Sequence, residues 1–146
     1  MSVTVRPLGP DDEEAWKPLW RAYLAFYETE LPDEVYSVTF QRLTDPARPA
    51  QFGLIAEMEG RAVGLVHVIV HPHNWRIEDV CYLQDLFVTP PARGTGAGRA
   101  LIEAVYAAAD TMGAPTVYWT TQEFNHAARQ LYDRIGKVTP FIKYQR

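Results

Sequence analysis

Apolar residues alternate in some parts of the chain and recur at helical spacing in others, and the switches between these patterns outline the fold. SVTVRPL alternates and then meets GPDD, which predicts a short strand and a turn. Trp16, Leu19, Trp20, Tyr23, Leu24 and Tyr27 follow at helical spacing, with Asp11 or Asp12 placed to cap the helix. A second helix is expected after Pro32, through Val35, Phe40 and Leu43, stopping near Asp45-Pro46. From Gln51 the period shortens. QFGLIAEMEGRAVGLVHVIV reads as two strands joined at Glu59-Gly60, a hairpin signal. HPHNWRIED is a polar loop, and VCYLQDLFV is the next strand, ended by Thr89-Pro90-Pro91. Leu101, Ile102, Val105 and Tyr106 share one face of a third helix that stops at Gly113-Ala114-Pro115. TVYWTT predicts a strand, Asn125 to Ile135 a fourth helix closed by Gly136, and VTPFIKYQR a last strand.

The resulting order, β-α-α-β-β-β-α-β-α-β, predicts an α/β chain with a mixed sheet and helices on both faces. Its length of 146 residues suits a single domain spanning 1–146. No repeat, linker or low-complexity tract divides it. The 14 basic and 18 acidic residues leave a net charge of −4, which argues against a general nucleic-acid partner. No apolar run approaches the ~20 residues of a membrane span. The first residues lack the apolar stretch of a signal peptide, so a cytoplasmic protein is expected. The single cysteine, Cys81, excludes an internal disulfide and sits in an apolar run as a core residue.

The chemistry concentrates in PARGTGAGRALI, Pro91 to Ile102. Glycines here let the backbone approach a ligand, and the following helix offers unpaired N–H groups at its positive end. Flanked by Arg93 and Arg99, this is a phosphate-type anion site. The dinucleotide fingerprint fails because position 99 is Arg, and the Walker loop fails because Gly98-Arg99-Ala100 lacks the Lys-Ser/Thr pair. His71 and His73 form an H-x-H pair without a third ligand nearby, so no metal is expected.

Arg93-Gly94-Thr95-Gly96-Ala97-Gly98-Arg99, directly after LQDLFV, resembles the acetyl-CoA pyrophosphate loop of the GNAT N-acetyltransferase superfamily. NHAARQLYDRIG resembles the later helix of the same family, with Asn125, Ala128, Leu131 and Tyr132 in matching places. The resemblance is tight from about Val80 to Gly136. YLAFYETELPD, VYWTTQEFNHAARQLYDRIG and FIKY look most like a branch of small histone, D-amino-acid and polyamine acetyltransferases.

That resemblance implies a central, mostly antiparallel sheet of about six or seven strands, about four helices, and two central strands that splay apart. It implies transfer of an acetyl group from acetyl-CoA directly to a primary amine. Leu86, Phe87 and Val88 would pair with the pantetheine arm, and Arg93, Gly94, Thr95, Gly96, Ala97, Gly98 and Arg99 would hold the pyrophosphate. A backbone N–H near Leu86 or Phe87 would polarise the thioester carbonyl. Asn125 would touch the cofactor, where it also suits a helix N-cap. Tyr132 would touch the cofactor and serve the departing thiolate. Relatives often carry Glu where this chain has Gln84, which cannot accept a proton usefully but can orient an amine or a water. Asp85 keeps the family's carboxylate, and its side chain is expected on the opposite sheet face from Gln84. Glu78 is a further candidate base. Deprotonation through a water, with no single base, is the expectation. Gln84, Asp85 and Tyr132 are therefore the expected catalytic residues, and Tyr27, Glu28, Gln84 and Trp119 the expected acceptor contacts.

The acceptor is expected to be a small amine. A peptide lysine or N-terminal acetyltransferase, and a CoA-binding sensor without turnover, are the alternatives. A homodimer through the late strand PFIKYQR is also expected, because family members often pair there and an alternating terminal strand leaves an edge.

Overall fold

The computed structural model describes residues 2–146. Its elements are β1 (Thr4–Pro7), α1 (Glu13–Phe26), α2 (Asp33–Thr44), β2 (Gln51–Met58), β3 (Arg61–His71), β4 (Val80–Val88), α3 (Ala97–Thr111), β5 (Val117–Tyr118) and α4 (His126–Ile135). One 3-10 turn, Pro90–Ala92, links β4 to the glycine loop. The sheet runs β1-β2-β3-β4-β5 in chain order. The first four strands are antiparallel, and β5 lies parallel to β4 after the α3 crossover. Glu59 and Gly60 both adopt positive φ, 53° and 75°. That combination forms the tight hairpin whose twist matches the strands it joins.

Side chains of β3 divide the interior into two layers. Val66 and Val68 pack with Leu101, Ile102 and Val105 of α3 on one face. Leu65 packs with Trp16, Leu19 and Trp20 of α1 and Phe40 of α2 on the other. Half-buried Leu131, Tyr132 and Ile135 bring α4 onto the α3 layer. The four expected helices and their placement on both faces are all present.

Three expectations change. VTPFIKYQR forms no strand, and the sheet has five strands rather than six or seven. A strand is stable only against a neighbour that accepts its backbone hydrogen bonds. Here β5 pairs over two residues, and Pro140 removes a donor from the terminal segment. Phe141, Ile142 and Tyr144 are left 75–89% exposed. Asp12 stands at the N-cap of α1, yet its carboxylate makes no capping bond. It accepts instead from the Gly9 N–H and from Arg6 at 2.7–2.8 Å, tying β1 to the helix start. The Arg6 guanidinium holds the Asp12 carboxyl below its usual range.

Two tryptophans of α1 stack at 5.3 Å with different polar fates. The Trp16 indole N–H donates to His67 Nε2 at 2.9 Å, whereas the Trp20 N–H, also buried, has no partner among the described residues. Replacing either by Phe removes a similar volume, but only Trp16→Phe strands a buried acceptor, while Trp20→Phe relieves an unpaired donor. Trp16→Phe is expected to be the more destabilising by about 1–3 kcal/mol in urea unfolding. Equal losses in the two variants would contradict this assignment.

Candidate active site

The register of β4 against β3 carries one extra residue. His67 pairs with Asp85 and Val68 with Leu83, so Gln84 has no partner and forms a β-bulge. Up to the bulge, Cys81 and Leu83 face the α3 layer. Past it, Leu86 packs on that layer while Phe87 joins the α1 layer. Regular alternation would have put residues 81, 83, 85 and 87 on one face. The bulge breaks that rule, turning Asp85 toward α1 and exposing Gln84 at the strand surface.

Beside the bulge the two central strands part. β4 and β5 pair only at Cys81–Val117 and Tyr82–Tyr118, so from Leu83 onward β4 presents an open edge toward β5. A narrow cleft opens in the gap. Leu83, Gln84 and Leu86 form its floor, Tyr23 and Tyr27 of α1 one wall, and Trp119, Thr120 and Tyr132 the other. Tyr132 packs edge-on against Trp119 at 5.5 Å. Burial pushes its phenol up to about 12, so it stays protonated and able to donate throughout the neutral range. Gln84, Leu86, Tyr27, Trp119 and Tyr132, each expected at the site from the sequence, thus meet in one cleft.

At the far end of β4 the glycine loop turns into α3. Gly94 and Gly96 take φ of 79° and 90°, and a Cβ at either would meet nothing within 4 Å. The loop is therefore open above its backbone and is glycine for conformational reasons. Gly96 is the N-cap, and the first rung of the helix is the Ala100 N–H donating to Gly96 O at 2.9 Å. The amides of Ala97, Gly98 and Arg99 have no intrahelical acceptor. Arg93 donates from Nε to Val88 O at 3.1 Å and so ties the loop to the end of β4. Arg99 pairs with Glu103 at 2.7 Å on the exposed helix surface.

Asn125 occupies the N-cap of α4 without a capping side-chain bond; its amide lies 3.4 Å from the Thr121 hydroxyl. Glu28 is exposed and outside the cleft lining. It takes φ 55° just past α1, where the Glu28 and Thr29 N–H groups donate to Ala25 O and Leu24 O. That is a Schellman ending with Glu in the place glycine usually takes. Glu78 lies away from the cleft, lining a cavity of about 420 Å³ with Pro49, Ile77 and Met112. His71 accepts from the Tyr118 hydroxyl at 2.7 Å, and Tyr118 stacks on Tyr82 at 4.8 Å. Among the described residues no three His, Cys, Asp or Glu side chains cluster as a metal site would require.

One residue of the site is not apparent from the sequence. His67 is 4% exposed and lies in the apolar run LVHVIV. Its Nε2 accepts from Trp16, so its proton is on Nδ1, and that N–H donates to Asp85 Oδ2 at 2.7 Å. The available signal is a lone histidine in a buried strand, opposite the strand that carries an aspartate.

The splayed strands, open glycine loop and tyrosine-lined cleft agree with comparison to known proteins. The sequence profile described as the Acetyltransferase (GNAT) family matches residues 16–136. The chain belongs to the GNAT acetyltransferase family. It is 42% identical over 145 residues to the D-amino-acid N-acetyltransferase HPA3 of Saccharomyces cerevisiae, covering 99% of this chain and 90% of that one. It is 29% identical to the N-acetyltransferase YhfO of Bacillus subtilis, covering 97% and 95%. Among solved structures, AAC(6')-Iy with a CoA-linked bisubstrate analogue superposes with a TM-score of 0.87 at 19% identity, over 100% of this chain and 98% of its own. A ribosomal-protein-alanine N-acetyltransferase from Brucella melitensis reaches 0.83 at 21% identity, over 100% and 99%. These two likenesses establish the fold.

For a GNAT acetyltransferase the cofactor to test against this site is a CoA thioester, and the residues fit it. The open cradle at Gly94 and Gly96, with the free amides of Ala97 to Arg99, suits an anionic pyrophosphate. The unpaired edge of β4 suits an amide-bearing arm.

Two backbone substitutions of opposite sense test the local geometry. Gly96→Ala places a Cβ on a residue with φ 90° and is expected to cost about 1–2 kcal/mol. Glu28→Gly relieves a left-handed Glu and is expected to stabilise by up to about 1 kcal/mol after the entropy of the added glycine. Chemical denaturation of both variants reads the signs; a stabilised Gly96→Ala would overturn the assigned loop conformation.

Proposed function

We propose that residues 1–146 form one catalytic unit that moves an acetyl group from acetyl-CoA to the primary amine of a small molecule. The observation that carries this reading is the cleft between Tyr23 and Tyr27 on one side and Tyr132 and Trp119 on the other, opening where β4 loses its partner. An acyl donor laid along that edge would bring its thioester to Gln84–Leu86, between an acceptor wall and a phenol donor. The cleft is narrow and aromatic, which suits a compact cationic amine better than a peptide backbone. HPA3, named for D-amino-acid N-acetylation, supports the same substrate size.

The roles follow from chemistry. When bound, acetyl-CoA supplies the activated acetyl group. Arg93, Gly94, Thr95, Gly96, Ala97, Gly98 and Arg99 hold its pyrophosphate through backbone amides and loop charge. Leu86, Phe87 and Val88 offer backbone groups to its arm and one N–H to the carbonyl oxygen, with Asn125 alongside. Tyr132 is a hydrogen-bond donor to the leaving sulfur. At about 12 its phenol holds its proton more firmly than a thiol near 8.5 does, so it stabilises thiolate without having to ionise. Gln84, freed from ladder pairing by the bulge, orients the amine, with Tyr27 and Trp119 on the acceptor side; Glu28, outside the cleft, takes no part. Use of acetyl-CoA is in keeping with a cytoplasmic protein.

Free-thiol release from acetyl-CoA over D- and L-amino acids, polyamines, aminoglycosides and lysine peptides tests the reading. Turnover is expected with one class of small amine and to fall about 100-fold in Tyr132→Phe at unchanged acetyl-CoA affinity. Turnover restricted to lysine or N-terminal peptides would replace the small-amine reading, and binding without turnover would favour a sensor.

The exposed apolar strip Phe141, Ile142 and Tyr144, together with a two-residue edge strand, supports a homodimer in which each copy covers the other's strip. Light scattering is expected to give twice the chain mass, and Ile142→Asp to give the monomer. A monomeric wild type would remove this part of the reading.

A further inference from the structure

Acetyl transfer to an amine releases a proton, and Gln84 cannot take it. Glu78 and Asp79 line a separate cavity, and Glu28 and Glu30 are exposed on the loop after α1. Asp85 is the carboxylate that the bulge turns toward the acceptor wall. Tyr23 lines the cleft with Gln84 and Leu86, the two neighbours of Asp85, and its ring packs edge-on against Phe87 at 6.4 Å, which sets it on the α1-facing side of β4 where the Asp85 carboxylate also lies. Catalytic contacts are often loose before substrate arrives and tighten with it.

Resting on the acetyltransferase reading above, we propose that Tyr23 and Asp85 form a proton relay in which Tyr23 Oη takes a proton from the acceptor nitrogen while its own phenolic proton passes to the Asp85 carboxylate. His67 and Trp16 are positioning residues for that carboxylate.

The balance closes within these groups. The ammonium proton of the free amine is lost to water on entry, the nitrogen lone pair of the neutral amine forms the N–C bond, the C–S bond breaks, and its electron pair leaves with sulfur beside Tyr132. One N–H proton moves to Tyr23 Oη and the phenolic proton moves to Asp85. Tyr23 ends as the neutral phenol it began as. Asp85 ends as a carboxylic acid that returns its proton to water when the product departs.

Several observations shape this mechanism. Burial and the neighbouring carboxylate push the Tyr23 phenol far above its usual range. It is therefore not a phenolate base, and can accept a proton only while giving one up. His67 already carries its proton on Nδ1, because the Trp16 N–H occupies Nε2. It cannot take a second proton from Asp85 at Nδ1; it fixes one carboxylate oxygen and leaves the other clear of that bond. The titratable groups facing the pair are His67 from β3, Tyr27 at the end of α1 and Tyr82 from β4, with Tyr132 of α4 next to Tyr27. Three of these four are phenols and none is a second carboxylate.

The test uses the full chain, the best amine of the panel and saturating acetyl-CoA. Tyr23→Phe and Asp85→Asn should each lower kcat about 100-fold or more, with the acetyl-CoA Kd within about twofold of wild type. Asn keeps an oxygen for the His67 N–H, so thermal melting should show both variants folded. The double variant should be no slower than the worse single variant, as for residues acting as a unit. Rate against deuterium fraction should be bowed for wild type, as two moving protons require, and linear for Tyr23→Phe. A kcat for Tyr23→Phe within about threefold of wild type, or losses that multiply in the double variant, would overturn the relay alone. Absence of transfer by the wild type to every amine would overturn the relay together with the acetyltransferase reading.

Discussion

The extra residue in β4 is the constraint on which the site depends. With a regular ladder, Asp85 would lie on the α3 side with Cys81 and Leu83, in an apolar layer that offers it no partner. Inserting Gln84 between the Val68 and His67 pairs switches the phase of the strand. Asp85 then meets His67 and the wall of α1, and Phe87 enters the α1 layer. The bulge also adds local twist to a strand whose other neighbour, β5, stops pairing two residues earlier. One inserted residue therefore coincides with the opening of the cleft and turns a carboxylate toward the helix that walls it.

That carboxylate is held by a polar chain running into the core. Trp16 is fully buried between both helices of the α1 layer, and its N–H donates to a buried histidine that in turn donates to Asp85. Inside a low-dielectric layer each of these groups would be costly alone, yet each has a partner. The chain has a direction, since indole can only donate and the aspartate can only accept while ionised. That direction selects the tautomer of His67 without any other contact. Core packing around Trp16 and the state of the active-site carboxylate are thus one arrangement.

Much of this is legible in the amino-acid order. Helical spacing marks the four helices, and the Glu59-Gly60 pair marks the hairpin. The glycine loop with Tyr132 points to the family and gathers most of the cleft residues. The features that local pattern does not show share a cause: each depends on pairing between distant segments. The bulge is a mismatch between β3 and β4, and nothing in YLQDLF alone marks Gln84 as the unpaired residue. Strict alternation therefore assigns Asp85 to the side of Cys81 and Leu83, away from the helix it faces. His67 reads as one polar interruption in an apolar strand, because its partners lie 51 and 18 positions away. PFIKYQR has the composition of a strand, but composition cannot supply the neighbour that a strand requires.

The absence of a glutamate at position 84 then takes on a different meaning. A base on β4 at that point would stand on an open strand surface, in contact with water and set by strand geometry alone. Asp85 instead stands one residue further on, behind a phenol contributed by α1. In the proposed relay a neutral phenol passes a proton inward without any charged intermediate in the cleft. In that relay, aromatic contact with the acceptor and acceptance of its proton would come from the same helix. Tyr23 of α1 and Tyr27, the residue that caps its C-terminus, lie four residues apart with ring centroids 5.1 Å from each other. A substitution that reshapes this wall to admit a different amine also moves the group that meets the amine's proton. In the proposed relay acceptor choice and proton transfer would be coupled through α1, whereas a strand-borne glutamate would keep them separate.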